Sequence, residues 1–394
     1  MSCLVLGAVY VDGLPNEQPQ AHGAMFGVSL GLATFGRSVR FVTDLGNDEA
    51  GKLLRAQADA AGLELYLRPK RERTAPTPRF TPEIARESGL PALTLPEAPK
   101  EGARRLDLSL FDPQVLVLGG SAMHTEETAT RALEWVDIAR SSATIVYSPA
   151  ISKGVRTNFD KARRQAEKLI RAADVVCVSA ADLRQLYGIS ASTRTYNKLA
   201  QYWFSFGPAI VAIPLDNGEC IIYSRAQGGV IIRPLPRTQN KTRSNNNTTN
   251  NTATNGILTN GTVANRTMAN RTVANRTVAN GTVANGTAAT ATAAPAPATS
   301  TGPAPTTVMQ SDDSHWEDSR TRGNAEFTAA LIDALDRVSL LGASVRERLD
   351  EVSLSNIHAV GVFAATAAQL ATEKPRGVFP TREEVSQSVT DAYI

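Results

Sequence analysis

Several short stretches of the chain carry side chains able to do chemistry. The apolar run Cys3–Val11 leads into Asp12, ahead of Gly13. A carboxylate at the end of a buried strand can accept two hydroxyl hydrogen bonds. An ordinary turn aspartate before a glycine reads the same way. Asp182 lies three residues after Ser179 at the start of a helical run, a spacing that suits a helix cap. Further on, Asp318-Ser319-Arg320-Thr321-Arg322-Gly323-Asn324-Ala325-Glu326 precedes apolar residues at helical spacing. Arg320 and Arg322 could bind an anion through their guanidinium groups, or could be solvated loop arginines. Glu326 is the carboxylate nearest the helix. His22 could donate to a hydroxyl, although a lone histidine is more often incidental. Cys3, Cys177 and Cys220 follow no metal-ligand spacing and read as small buried hydrophobes in a reducing compartment.

The elements that must position these groups alternate. Strands are expected at Cys3–Val11, Val39–Asp44, Glu64–Arg68, Val115–Gly119, Thr144–Tyr147, Val175–Val178 and Ile210–Ile213, with a hairpin of Cys220–Tyr223 and Val230–Arg233. Helices are expected at Phe26–Phe35, Glu49–Ala61, Glu126–Arg140, Asn158–Ala173, from Ala180 to Tyr187, and at Ala325–Arg337, Val345–Glu351 and Ser355–Ala371. Such alternation implies a mostly parallel sheet covered on both faces. Ligands then bind at the carboxyl ends of the strands.

The 394 residues suffice for one large α/β domain or two medium ones, and 42% hydrophobic content allows a sizeable core. A net charge of +3 from 41 basic and 38 acidic side chains argues against a nucleic-acid-binding face. The short apolar N-terminal run has neither a basic flank nor the length of a membrane span. A soluble cytoplasmic protein with no membrane or nucleic-acid partner is expected. One stretch stands apart: from Thr238 to His315 the composition collapses to Asn, Thr, Ala, Gly and Pro, with a five-residue Asn-x-Thr repeat running from Asn260 to Asn285. Such small polar residues bury too little apolar area to offset chain entropy, so 238–315 is expected to be disordered. It divides a domain into 1–237 and 316–394.

Three segments carry a resemblance. They are Gly31-Leu32-Ala33-Thr34-Phe35-Gly36-Arg37 with Val42-Thr43-Asp44-Leu45-Gly46-Asn47-Asp48 and Gly51, then Ala172-Ala173-Asp174-Val175-Val176 with Asp182-Leu183-Arg184-Gln185-Leu186-Tyr187, and finally Pro375-Arg376-Gly377 with Phe379-Pro380-Thr381-Arg382-Glu383-Glu384-Val385. In this order they resemble the PfkB carbohydrate kinases, the bacterial fructokinase branch in particular. The resemblance implies a ribokinase-like three-layer α/β/α fold with a mostly parallel central sheet. It also implies a small lid, which would fall at about 73–98 with weak strand character, so that a homodimer is a guess only. The implied activity is transfer of a phosphoryl group from ATP, with Mg2+, to a sugar hydroxyl.

Carried over residue by residue, the resemblance makes Asp12, Gly23 and Arg156 sugar-side positions. Gly27 stands where the family has an amide, and His22 where it has a glycine. The family's Asp-Pro-Asn reads Ser148-Pro149-Ala150, its glutamate reads Ala181, and its nucleotide-side glycine turn reads Pro214-Leu215-Asp216. The signature loop, which should supply glycine amides and a general-base aspartate, falls on 318–324. Counting from Asp318 puts Asn324 at the base; counting back from Phe327 puts Ala325 there. Neither can accept a proton, and a positioned base typically contributes about 10²–10⁴-fold. Gly323, Arg320, Arg322, Asp318 and Asp182 remain as anion- or nucleotide-side candidates. The expected function is a catalytically impaired pseudokinase that binds a sugar or nucleotide. The alternative is an active ATP-dependent hexose kinase using Glu326 or water in place of the base.

Overall fold

The computed structural model describes residues 1–12, 20–67, 75–80, 95–98, 112–151, 159–189, 192–234, 254–259, 262–267, 276–278, 323–375 and 377–392. Its spine is a sheet of buried apolar strands. In chain order the described strands before residue 235, of this sheet and of a smaller one, are β1 (Ser2–Leu6), β2 (Tyr10–Asp12), β3 (Gln20–His22), β4 (Ser38–Val42), β5 (Glu64–Tyr66), β6 (Arg79–Phe80), β7 (Val115–Gly119), β8 (Thr144–Ser148), β9 (Val175–Cys177), β10 (Ile210–Pro214), β11 (Cys220–Ser224) and β12 (Gly228–Ile232). The central sheet runs β5-β4-β1-β7-β8-β9-β10-β11-β12. It is parallel from β5 to β10 and antiparallel from β10 to β12.

β7 and β8 are buried along their whole length, as strands covered on both faces must be. Within β1, Cys3 and Val5 enter one core while Leu4 and Leu6 enter the other. Among the described residues nine helices cover the two faces: α1 (Ala24–Thr34), α2 (Glu49–Ala60), α3 (Glu126–Ala139), α4 (Phe159–Ala172), α5 (Ala180–Tyr187), α6 (Thr193–Phe204), α7 (Asn324–Arg337), α8 (Leu354–Glu373) and α9 (Arg382–Asp391). Buried residues of α1, α7 and α8 share the first core, and those of α3 to α6 the second. The three-layer, mostly parallel architecture matches the expectation. α8 is the one described helix long and apolar enough to cross a membrane, but more than half of that stretch is buried inside the protein.

Three local expectations need correction. The single strand Cys3–Val11 is two, because the chain leaves the central sheet at Gly7 and re-enters as β2 in a separate sheet of order β3-β2-β6. The segment Val345–Glu351 lies in a 3-10 helix, Ala343–Glu351, rather than an α-helix. Helix α6 was not foreseen; its buried Tyr196, Ala200, Trp203 and Phe204 are helically spaced, but polar neighbours interrupt them.

Of the lid stretch, β6 joins the small sheet and 95–98 docks on α3. There Arg131 donates to Leu95 O at 2.7 Å and Trp135 Nε1 donates to Pro96 O at 3.2 Å. Within the Asn/Thr-rich stretch the described residues form three strands, β13 (Thr254–Thr259), β14 (Thr262–Thr267) and β15 (Arg276–Val278), which continue the sheet antiparallel beyond β12. Disorder is expected over 238–315; apart from these three strands, that stretch lies outside the described residues.

The C-terminal helices are fastened by charge. Asp333, with a fully buried side chain, accepts from Arg37 Nε at 2.6 Å and from Arg382 at 2.7 and 3.2 Å, while Arg37 also reaches Asp336 at 2.7 Å. Removing one partner of such a buried pair typically costs about 3–5 kcal/mol.

Candidate active site

The chain moves from β1 to β4 and β5 on one side, then crosses to β7–β10 on the other. The carboxyl ends of β1 and β7 therefore bound the switch point, where open α/β sheets receive ligands. Two helices begin beside these strand ends, and both begin with a glycine. Gly23, the N-cap of α1, has φ 149° and no side-chain cap, and a Cβ there would lie 2.5 Å from Ala8 O. Gly23 O accepts from Gly27 N at 2.9 Å. Gly323, the N-cap of α7, has φ 98° and again no side-chain cap. Uncapped first turns leave backbone N–H groups available to an anion.

The two helices meet tightly. A Cβ on Gly27 would lie 2.9 Å from Ala325 Cβ, and one on Gly31 would lie 2.8 Å from Ala329 Cβ. Of the two base candidates it is thus Ala325 that faces α1. Asn324 contributes its carbonyl, which accepts from Thr328 Oγ1 at 2.8 Å; Thr328 Oγ1 in turn meets Cys177 Sγ at 3.3 Å. Burial pushes the Cys177 thiol up to about 12, so this sulfur is an inert packing group. Glu326 is half-buried in the first turn of α7.

Asp182 is fully engaged in the scaffold. Its carboxylate accepts from Ser179 Oγ at 2.8 Å, Ser179 N at 3.3 Å and Ile151 N at 2.8 Å, while Ser179 Oγ caps Asp182 N at 3.0 Å. Burial raises its pKa against these bonds and the nearby Arg184. Ala181, at the family's glutamate position, is buried. At the end of β10, Asp216 pairs with Arg184 at 2.6 Å, so its charge is compensated. Ser148-Pro149-Ala150 ends β8. Gly120 N donates to Ser148 O at 3.0 Å, Ala150 has φ 43°, and His124 hydrogen-bonds to the Pro149 backbone. Burial lowers the His124 pKa to about 4, leaving a neutral ring.

Asp12 closes β2, beside β3 and β6 rather than at the end of β1. His22 ends β3, with its ring stacked on Tyr10 at 6.0 Å. Arg156, Asp318, Arg320 and Arg322 lie outside the described residues. The structure thus brings Gly23, Gly27 and Ala325 together and places Asp182 in a helix cap.

Met25, which the sequence marks only as added bulk beside the His22-to-Gly27 stretch, takes a defined place, and one further feature is not visible in the sequence. Met25 lies across the ends of β1 and β7. Asp48, quoted above only within a turn, caps α2 through Gly51 N at 2.9 Å and also takes Thr77 N at 3.0 Å and Thr77 Oγ1 at 2.5 Å. It therefore clasps 75–77 onto the helix start. The Asp-x-x-Gly spacing signalled the cap, but nothing local signalled Thr77.

The sequence model of the pfkB family carbohydrate kinases matches residues 20–241. No curated protein sequence matches the chain. Among solved structures, fructokinase from Xylella fastidiosa with bound ATP is similar at a TM-score of 0.64 and 16% identity, covering 100% of this chain and 99% of that one. Aminoimidazole riboside kinase from Salmonella enterica is similar at a TM-score of 0.55 and 15% identity, covering 99% of each chain. For 2-dehydro-3-deoxygluconokinase from Thermotoga maritima the TM-score is 0.54 and the identity 14%, with 99% and 98% covered. At these identities the likeness is one of fold.

Proposed function

The chain is a member of the pfkB family of carbohydrate kinases, and we propose that it is a fructokinase-like homologue in which phosphoryl transfer is impaired while binding of a sugar or a nucleotide is kept. The observation that carries this reading is the packing of Gly27 on Ala325. The resemblance assigned one position to a sugar-holding amide and the other to the general base. In this chain they meet as two apolar surfaces, with no proton acceptor on either.

ATP with magnesium is the donor that the family implies. Among the described residues no group of three or more His, Cys, Asp or Glu side chains could hold a metal ion, and Asp182 spends its oxygens on protein donors. Asp182 therefore does not fit as a ligand to a magnesium ion. The start of α7 suits phosphate charge, because its N-cap is a glycine whose side chain cannot occupy the first N–H groups. ATP bound there would supply the transferable phosphoryl group.

The test is an assay of the purified protein with ATP, magnesium and a hexose panel including fructose, with product phosphate measured. Turnover above about 1 s⁻¹, within the usual range of enzymes, overturns the impaired reading. Ala325→Asp is expected to raise turnover by about 10²-fold, the low end of what a positioned base contributes. Asn324→Asp is expected to leave it unchanged. A second reading, an active kinase with Glu326 as base, draws on the place of Glu326 in the first turn of α7. It requires measurable turnover that Glu326→Gln abolishes.

A further inference from the structure

The carboxyl ends of β1 and β7 carry three glycines, Gly7, Gly119 and Gly120, and Met25 lies along them. A Cβ on Gly7 would sit 2.3 Å from Met25 Cβ and 2.6 Å from its Cγ; one on Gly119 would sit 3.2 Å from Met25 Cε; one on Gly120 would sit 4.0 Å from Met25 Cγ. The three glycines thus open a backbone trough at the switch point, and the methionine side chain runs down it from β1 to β7. Met25 is 1% exposed, so the trough is filled. Met25 is also the second residue of α1, two residues before Gly27 and on the side of the helix that faces the strand ends.

We propose that Met25 sets the depth of the sugar site, limiting it to a compact acceptor whose far carbon rests on the thioether instead of reaching the strand-end backbone. This rests on the sugar-binding half of the reading above. A thioether offers only weak hydrogen-bonding capacity, so a hydroxyl buried against it loses its partners in water and is disfavoured. The site thereby selects by length as well as by hydroxyl pattern. Met25→Ala removes the three heavy atoms beyond Cβ, room for about one further hydroxymethyl group.

The experiment is a calorimetric and thermal-shift series with three-, four-, five- and six-carbon sugars on the full chain and on Met25→Ala, Met25→Val and Met25→Leu. Circular dichroism checks that each variant is folded, and Met25→Val keeps the test open if the alanine variant is not. The expected result is a preference moved toward longer sugars by at least tenfold in relative affinity for the truncated variants, with the size-conserving leucine variant keeping the original order. The same order of affinities in all four proteins overturns this proposal alone. No binding of any sugar by any of the four overturns both this proposal and the sugar-binding reading.

Discussion

The helix starts of the scaffold differ from the two at the candidate site. Six described helices open with a side-chain cap: Asp48 on α2, Thr125 on α3, Ser179 on α5, Ser192 on α6, Ser353 on α8 and Thr381 on α9. α1 and α7 open instead with glycines at positive φ and no side-chain cap. A capped start uses its first N–H groups within the protein. A glycine start forgoes that stabilisation from its own side chain. The two helices of the candidate site thus begin differently from the described helices of the scaffold.

Substitutions can break this division. Gly23→Ala adds a Cβ 2.5 Å from Ala8 O at a φ of 149°. It should cost about 4 kcal/mol, summing backbone strain and overpacking of about 1–3 kcal/mol each; urea unfolding measures this. A loss below about 1 kcal/mol would mean that α1 can restart elsewhere. Asp182→Ala strips a buried cap that also holds Ile151 N, for an expected loss of about 3 kcal/mol. Thr381→Ala removes an exposed capping box and should cost about 1 kcal/mol.

The caps themselves divide by pH. Burial raises the Asp182 pKa above its ordinary 3.8, so its contribution to stability is full below that value and is lost as pH rises through the folded pKa. At Asp48 a smaller burial penalty is outweighed by bonds from Thr77 and Gly51, which lower the pKa below 3.8. Its contribution is present above that value and lost as pH falls. Unfolding free energies measured across pH should therefore show the wild-type advantage over Asp182→Asn shrinking with rising pH, and that over Asp48→Asn growing. Parallel slopes would contradict the difference in environment.

Much of this was legible in the sequence, since buried strands such as Val115–Gly119 announce themselves by composition and helix ends such as Gly36 and Gly188 by residue type. The family order of segments placed the sheet correctly. The break at Gly7 was hidden because an apolar run continues to Val11 whichever sheet receives it. The register of the base position was ambiguous by one residue in sequence, and packing on Gly27 selects Ala325 as the residue facing α1. Met25 reads in sequence only as bulk beside Gly27; the glycines at the ends of β1 and β7, from two distant segments, make its position meaningful.

The Asp333 clamp has a consequence for how the gene product can be divided. Arg37 from the first segment and Arg382 from the last converge on one carboxylate of α7, and α1 packs on α7 across nearly three hundred residues of sequence. The pieces on either side of 235–322 are thus joined by buried charge and helix packing independently of the peptide linking them. Expressed as separate polypeptides, they should complement one another as a split protein, leaving the long repeat interval free to change in length from one generation of the sequence to the next.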